Sequence, residues 1–335
     1  MIRALFIGLS WSALLVLSAC DGSSSPNAPS ATVATSASPA VVKRAKIGVS
    51  IPAADHGWTA GVVWWANECA KLHPECDWTI STAETPEKQV ADIESMMAKG
   101  VDGLVILATE SAPITPVAEQ AHERGIYIVN VDRGFLKPVA DVFIEGDNKS
   151  FGRKSAQFMV EKLGGKGKIL ILEGIPCTVN TDRVTAAIEV FNAAPGIEIV
   201  GQQAANWNRQ KALEVTEVLL QKAPDIAAIW ASDDDMALGA EQALREKGRD
   251  KNVWILGGAG MKDIVKRVMD KDPMYPADIT YPPSMIAAGM EIASSVLSSA
   301  EPKKVMRYIP QHLMIDVELV TPENAQRFYF PESVY

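Results

Sequence analysis

The sequence contains few of the residues from which metal centres are built. Its 335 residues include four histidines and four cysteines. The histidines lie far apart and pair with no cysteine motif of metal-ligand spacing. They are His56, His73, His122 and His312. We therefore predict neither a metal site nor a cofactor.

An excess of positive charge is also absent. The formal net charge is −9, and acidic and basic residues are interspersed rather than gathered in runs. Binding to phosphates requires a basic surface as its first condition. The composition therefore excludes nucleic acid as a partner.

The sequence lacks an apolar run of the about 20 residues that a transmembrane helix needs. The apolar segment at residues 4–16 has instead the length of a secretory signal peptide, and small residues follow it. The sequence Leu-Ser-Ala-Cys at 17–20 resembles the lipobox of bacterial lipoproteins, which implies a signal peptide at 1–19 and a lipid anchor on Cys20. Asp21 resembles the signal that retains lipoproteins on the inner membrane. An ordinary signal peptide followed by an incidental cysteine is the alternative.

Large apolar residues are nearly missing from residues 20–44, where Ser, Ala, Pro and Thr predominate. Such a segment cannot bury enough surface to offset the entropy lost on ordering. We predict a flexible tether that leaves the folded body beside a membrane partner.

Three cysteines follow the tether. Cys69 and Cys76 are predicted to lie near the end of one helix and the start of the next strand. In an oxidising compartment they are a candidate pair for a local disulfide. Cys177 is then left as a small buried residue.

The folded body alternates short β-rich runs with helical patterns, which is typical of parallel sheets covered by helices. The pattern runs once to about residue 146 and then starts again. The body is larger than one compact core usually supports, so we predict an α/β protein of two lobes. The predicted first lobe comprises residues 45–146 and 282–308, and the predicted second lobe comprises residues 147–281 and 309–335.

Three consecutive aspartates at 233–235 stand between an apolar run and a helical pattern. Ligands of open α/β sheets bind beyond the carboxyl ends of the strands, where these carboxylates would accept hydrogen bonds from hydroxyls. Aspartate is also favoured at helix N-caps and in first turns. Helix capping is therefore the alternative explanation for at least one of the three. We predict that Asp233 contacts the ligand and that Asp234 and Asp235 cap and polarise the helix that follows.

Polar and aromatic residues follow several other predicted strands, at what are mostly the same ends. Tryptophan can stack on the C–H face of a sugar or cyclitol ring, while Asp accepts hydroxyl protons and Arg donates to oxygens. A local ion pair or a helix cap would explain single members of the set, but not their convergence. With Asp233, the predicted ligand-binding residues are Asp55, His56, Trp58, Asp132, Arg133, Arg183, Trp207 and Tyr281.

The motifs around these residues resemble the ribose-binding type of periplasmic solute-binding proteins, which serve ABC transporters. The resemblance covers nearly the whole body and implies a type I fold whose hinge the chain crosses about three times. It also implies ligand contacts by the residues just named, with Tyr281 at the hinge and cleft. The motifs are Val131-Asp132-Arg133, Gly146-Asp147-Asn148, residues 172–176, residues 206–211 and residues 231–240.

Two departures from that family bear on the ligand. Ala259 stands where ribose and galactose binders carry an aspartate, and Asp233 stands where they carry an asparagine. Ribose itself is therefore in doubt. The expected ligand is myo-inositol, another cyclitol, a sugar alcohol, or a different pentose or hexose. A carboxylate ligand is disfavoured by the acidic residues, although Arg133 and Arg183 would support one.

The sequence thus predicts a monomeric binding protein that closes two lobes on a sugar or polyol and delivers it to a permease. A subunit that presents the ligand to a membrane histidine kinase or chemoreceptor would use the same cleft. A sugar-active enzyme fits poorly, because such catalysis places two carboxylates on opposite sides of one bond. An export signal excludes a transcriptional regulator.

Overall fold

The computed structural model describes residues 44–54 and 56–335. The predicted signal peptide, Cys20 and nearly all of the tether, and also Asp55, lie outside these described residues. None of the described helices is both long enough and apolar enough to span a bilayer.

The first sheet has six parallel strands in the order β11-β5-β4-β3-β1-β2. Its central strands are apolar and buried, as strands covered on both faces must be. The strands are β1 (Lys46–Pro52), β2 (Asp77–Ala83), β3 (Gly103–Ile106), β4 (Tyr127–Val131), β5 (Val142–Gly146) and β11 (His312–Ile315). The helices that cover it are α1 (Gly57–Leu72), α2 (Pro86–Ala98), α3 (Ser111–Glu123) and α9 (Met285–Leu297).

The second sheet has four parallel strands in the order β7-β6-β8-β9. They are β6 (Lys166–Glu173), β7 (Gly196–Ala204), β8 (Ala228–Ala231) and β9 (Trp254–Leu256). Its helices are α4 (Asn148–Lys162), α5 (Thr178–Asn192), α6 (Arg209–Lys222), α7 (Asp234–Glu246) and α8 (Lys262–Met269). A short antiparallel pair, β10 (Asp278–Ile279) with β12 (Leu319–Val320), lies beside it, and α10 (Pro302–Val305) follows α9.

Local sequence explains where many helices begin and end. The Thr85 hydroxyl accepts a hydrogen bond from the Lys88 N–H, and Pro86 fills the first position of α2. Asn208 caps α6 in the same way, through the Lys211 N–H. Gly100 and Gly125 follow α2 and α3 with φ of +72° and +75°, which glycine adopts without steric cost.

The chain passes between the two sheets three times among the described residues. It crosses from β5 to α4, from β10 to α9, and from β11 to β12. Helix α9 packs closely on the first sheet, because a Cβ added at Gly289 would lie 2.9 Å from Val131 and 3.2 Å from Val105. The fold is therefore the predicted two-lobed α/β fold, with each parallel sheet flanked by helices.

The placement of the last segment needs one correction. We expected all of residues 309–335 in the second lobe, but β11 pairs with β5 at the edge of the first sheet. The open edge of β5 accepts one more parallel strand, and only afterwards does the chain return to pair β12 with β10.

The predicted disulfide is absent, because Cys69 and Cys76 are both free thiols. Each contacts helix α9. The Cys69 Sγ lies 3.8 Å from the carbonyl oxygen of Ala287, whereas the Cys76 Sγ lies 3.3 Å from the Ser298 hydroxyl. The two thiols therefore pack against α9 and do not form the local disulfide that their spacing suggested.

Candidate functional site

One cavity collects side chains from the ends of strands in both sheets. Eight of the nine predicted ligand-binding residues line it, and the ninth, Asp55, lies outside the described residues. Among the described residues, Ala259 also lines it. The lining residues are His56, Trp58, Asp132, Arg133, Arg183, Trp207, Asp233, Ala259 and Tyr281. The structure therefore assembles the predicted set, and contact with a ligand remains a prediction.

The inner cavity is narrow. Its volume is about 20 Å³, where a single water molecule needs about 10–15 Å³. A second cavity of about 200 Å³ shares His56, Arg133 and Trp207 with it and opens between the lobes. The two lobes are thus nearly closed on each other, and a molecule larger than water must part them or move side chains.

Backbone strain is concentrated at this cavity. Five non-glycine residues of the described chain have positive φ, and three of them line the cavity: Asp132 at 65°, Trp207 at 54° and Ala259 at 106°. Such conformations cost on the order of 1–3 kcal/mol each and tend to persist where a site requires them. The strained backbone aims these three residues into the space between the lobes.

Arg133 forms the wall that the first lobe contributes. Its Nη1 donates to the carbonyl oxygens of Ala108, at 3.2 Å, and Thr109, at 2.6 Å. Its Nε is buried without a hydrogen-bond partner in the described chain, since the Asp132 carboxylate is 3.8 Å away. The guanidinium lies 5.6 Å from the ring of Trp207, which reaches across from the second lobe. Arg133 is therefore a fixed cation with an N–H group still to be satisfied.

Arg183 forms part of the opposite wall and is held on all sides. Its Nε donates to Asn148 Oδ1 at 2.9 Å and its Nη1 to the carbonyl oxygen of Ser232 at 2.8 Å. The guanidinium also lies 4.0 Å from the Phe151 ring and 4.2 Å from the Tyr281 ring. Sequence reasoning missed Asn148, Phe151 and Ser232 as supports of the site, although Asn148 stands in the Gly-Asp-Asn motif.

Tyr281 joins the two walls at the second chain crossing. Its hydroxyl donates to Asp132 Oδ1 at 2.5 Å and accepts from Asn148 Nδ2 at 3.3 Å. Its carbonyl accepts from the Trp58 indole N–H at 2.9 Å. Burial, followed by the charge of Asp132, raises the pKa of Tyr281 well above its usual value. The hydroxyl therefore stays protonated and occupies one oxygen of Asp132.

The three aspartates at 233–235 have separate roles, and these differ from the predicted ones. We expected Asp233 to face the ligand and its two neighbours to cap the helix. Asp233 does both, because it lines the cavity while its Oδ1 accepts from the Met236 N–H at 2.9 Å. Burial, and then the charge of Asp235, raise the pKa of Asp233 to about 7.

The other two aspartates lie in the first turn of α7, as predicted, but their carboxylates bond to other segments instead of capping the helix. Asp234 accepts from the backbone N–H groups of Gly258 and Met261, each at 2.8 Å, and so shapes the turn that carries Ala259. Burial and the neighbouring Asp278 raise the pKa of Asp234 well above its usual value. Asp235 accepts from the Gly57 N–H at 2.8 Å, at the start of α1, and so links the second lobe to the first.

The cavity combines two arginines, two aspartates and two tryptophans. Because the pKa of Asp233 is about 7, this carboxyl group can donate or accept, and the polar groups of the cavity together offer both donors and acceptors of hydrogen bonds. No cation-binding group of carboxylates faces the cavity among the described residues, since Asp132 and Asp233 are engaged by Tyr281 and Met236. The site is suited to a small neutral molecule with several hydroxyl groups.

The fold and the cavity together define a two-lobed binding protein whose ligand site lies between the lobes. A family model described as a periplasmic binding protein domain matches residues 47–301. The chain belongs to this family, and so it is a periplasmic binding protein and not an enzyme.

Similar proteins support the assignment of the chain to this family. The ribose import binding protein of Bacillus subtilis is 32% identical over 232 residues, which cover 69% of this chain and 73% of the relative. A periplasmic solute-binding protein of an ABC transporter from Actinobacillus succinogenes, solved with bound D-allose, is 26% identical. It has a TM-score of 0.74, and the match covers 85% of this chain and 100% of that one.

A third similar structure serves a different kind of system. It is the fructose-binding periplasmic domain of a hybrid two-component system, which is 26% identical with a TM-score of 0.75. The match covers 85% of this chain and 94% of that one. The same fold therefore occurs both in transport and in signalling.

Proposed function

We propose that this protein is the solute-binding component of an ABC importer for a neutral sugar or polyol. The observation that carries the proposal is the cavity between the lobes, which brings the unsatisfied N–H of Arg133 together with aromatic rings and carboxylates from both lobes. Relatives named for the import of ribose, or solved with allose, support this ligand class.

The residues of the cavity favour a neutral ligand. The aspartates accept protons from hydroxyl groups, the arginines donate to ring or hydroxyl oxygens, and tryptophan covers an apolar C–H face. A carboxylate ligand would place its negative charge beside Asp132 and Asp233. The mixture of donors and acceptors therefore supports a polyhydroxylated molecule without a charge of its own.

The acceptors of the cavity do not favour ribose. Ala259 lines the cavity and offers no side-chain oxygen, whereas Asp233 supplies one on the facing helix start. The proposed ligands are myo-inositol, another cyclitol, a sugar alcohol, or a pentose or hexose other than ribose. Ribose is included among the compounds to be tested because one relative is named as a ribose import binding protein.

Closure of the lobes is the proposed mechanism of binding. A ligand shifts an equilibrium between open and closed states only by contacts that are better in the closed state. Arg133 and Trp207 come from different lobes and meet at 5.6 Å across the cavity. A ligand held between them would favour closure, and the closed form is the one that a permease would recognise.

The ligand is best identified by thermal shift of the full chain against a panel of sugars, sugar alcohols and cyclitols. A ligand that binds only the folded state raises the melting temperature, by an amount that grows with its concentration above the dissociation constant. Calorimetry then measures each hit on the wild type, on Arg133→Ala and on Arg124→Ala. Arg124 is an exposed arginine outside the cavity and serves as the matched control.

We expect one or a few chemically related hits whose affinity falls in Arg133→Ala and is unchanged in Arg124→Ala. No hit among neutral polyols, or equal affinities in both variants, would contradict the proposal. The proposal also includes a lipid anchor on Cys20 at the inner membrane and a monomeric state. Mass spectrometry of the protein from membranes and light scattering of the purified chain test these two points.

A sensor role is the second candidate, supported by the similar domain from a two-component system. Deletion of the gene separates the two roles once the ligand is known. Loss of uptake of the labelled ligand indicates transport. Normal uptake with loss of ligand-induced transcription indicates sensing.

A further inference from the structure

Three side chains with metal-binding atoms meet at the far end of the first lobe. They are Cys69 in the last turn of α1, His73 directly after α1, and Glu291 on α9. One ligand atom from each lies within 4.8 Å of the other two. Helix α1 begins at the ligand cavity and rises 1.5 Å per residue, so Cys69 lies about 17 Å from Trp58. The cluster is therefore separate from the cavity.

The distances are close to those of a coordination shell. The Cys69 Sγ lies 3.8 Å from Glu291 Oε1, and the His73 Nε2 lies 2.8 Å from Glu291 Oε2. Zinc bonds of about 2.3 Å to sulfur and about 2.1 Å to nitrogen or oxygen, at tetrahedral angles, separate ligand atoms by about 3.5 Å. Movements of less than an ångström would bring all three atoms around one ion.

We propose that Cys69, His73 and Glu291 form a zinc site that fastens the end of α1 to α9. A thiolate, an imidazole and a carboxylate are the three ligand types that zinc accepts together, whereas calcium and magnesium prefer oxygen alone. A water molecule completes the tetrahedron. This proposal does not depend on the identity of the sugar ligand.

The surroundings of His73 support the assignment. Its second ring nitrogen, Nδ1, lies 2.7 Å from Glu75 Oε1 and 3.3 Å from the Ser294 hydroxyl. A histidine that ligates a metal through one nitrogen usually donates the other N–H to a carboxylate, which fixes the ring and makes it more basic. Glu75 is placed to be that positioning residue.

Cys69 is enclosed within the cluster. It is only 3% exposed, and its S–H group donates to the carbonyl oxygen of Ala287 and to Glu291 Oε1, each at 3.8 Å. A bound zinc ion would stabilise the thiolate and release the thiol proton to solvent. The ion would then take the place of that proton between the sulfur and the Glu291 carboxylate.

The spacing of these three residues along the chain did not indicate that they form a cluster. Cys69 and His73 stand four residues apart at the end of α1, but Glu291 is 222 residues away from Cys69. Our prediction of no metal site rested on spacing along the chain. The packing of α9 beside α1 supplies the third ligand.

Cobalt titration of the full chain, held reduced and stripped with a chelator, tests the site. We expect one Co²⁺ per chain, with a thiolate-to-cobalt charge-transfer band that Zn²⁺ abolishes. The band should be lost in Cys69→Ser and retained in Cys76→Ser and Cys177→Ser, which remove the other described thiols. His73→Ala and Glu291→Gln should weaken zinc binding more than the about 10- to 100-fold loss expected for Glu75→Gln.

Zinc should also raise the melting temperature of the wild type but not of Cys69→Ser. Near-ultraviolet circular dichroism shows whether each variant is folded. His122→Ala, which removes an exposed histidine elsewhere on the first lobe, is the control for unspecific metal binding. Absence of the charge-transfer band in the reduced wild type, or its survival in Cys69→Ser, would overturn the proposal.

Discussion

The two arginines of the ligand cavity differ in how their hydrogen-bond donors are used. Arg133, on the wall of the first lobe, is fixed by two carbonyl oxygens but keeps a buried Nε without a hydrogen-bond partner in the described chain. Arg183, on the opposite wall, is bonded to Asn148 and Ser232 and lies between two aromatic rings. The first is poised for a ligand, whereas the second already holds its own lobe together. Residues of one type at one cavity therefore have different functions.

Arg183→Ala should have the largest effect and should affect the fold. It leaves two buried acceptors unsatisfied and removes the cation between two rings, which together cost about 3 kcal/mol or more. Denaturant unfolding of the ligand-free protein measures the loss. A variant as stable as the wild type would show that Arg183 is not the internal support described here.

Arg133→Ala should reduce ligand affinity, and it should also cost some stability because the carbonyl oxygens of Ala108 and Thr109 lose their donor. Hydrogen bonds to charged groups contribute about 1.5–3 kcal/mol each, so we expect a loss of about 100-fold. Calorimetry with the ligand found in the screen measures it. If Arg133→Ala and Arg183→Ala lose affinity and stability in the same proportion, the contrast between the two walls is wrong.

Asp233→Asn should change how stability depends on pH. Burial, followed by the charge of Asp235, raises the pKa of Asp233 to about 7 in the fold, although His56 and Arg183 lower it; the unfolded value is about 3.9. Between these values the folded state binds more protons than the unfolded state, so stability falls as pH rises. The wild-type melting temperature should therefore drop from about pH 4 to about pH 7.

The asparagine variant should show a smaller drop over the same interval, because asparagine still caps α7 but cannot ionise. Burial also raises the pKa of Asp278 to about 7. Asp278 therefore accounts for part of the drop that remains in the variant. Identical pH profiles for the wild type and Asp233→Asn would contradict the raised pKa of Asp233.

Ala259→Gly should have the smallest effect and should be stabilising. Ala259 has a φ of 106°, which glycine adopts without the steric penalty of a Cβ. Relief of the strain exceeds the added entropy of the unfolded chain, so we expect a gain of about 1 kcal/mol. Chemical denaturation measures the gain, and a loss of stability would mean that the Ala259 methyl group packs usefully in the cavity.

Much of the fold followed from local patterns. Alternating apolar strands and amphipathic helices require parallel sheets between helices, and the break near residue 146 indicates two of them. The ends of parallel strands meet at one edge, which is why residues as distant as Asp132 and Asp233 were predicted to share a cleft. Motifs near strand ends are local in sequence, and so they can be recognised before the fold is known.

Contacts between distant elements were less predictable. The edge strand β11 was assigned to the wrong lobe, because its few residues carry no signal of which sheet edge is open. The disulfide was wrong for a related reason: Cys69 and Cys76 are close in sequence, but each turns towards α9. The capping role predicted for Asp234 and Asp235 was also wrong, since Asp233 caps α7 and the carboxylates of the other two bond to other segments.

The sequence by itself determined the class of this protein: two α/β lobes, a cleft at the strand ends, and the polar and aromatic residues that line it. These depend on periodicity and on residue type, which are properties of short segments. Only the tertiary structure decided which arginine keeps a free donor, which aspartate caps and which bridges the lobes, and which side chains join Cys69. Those properties depend on burial and on partners far along the chain, and the chain must fold before either exists.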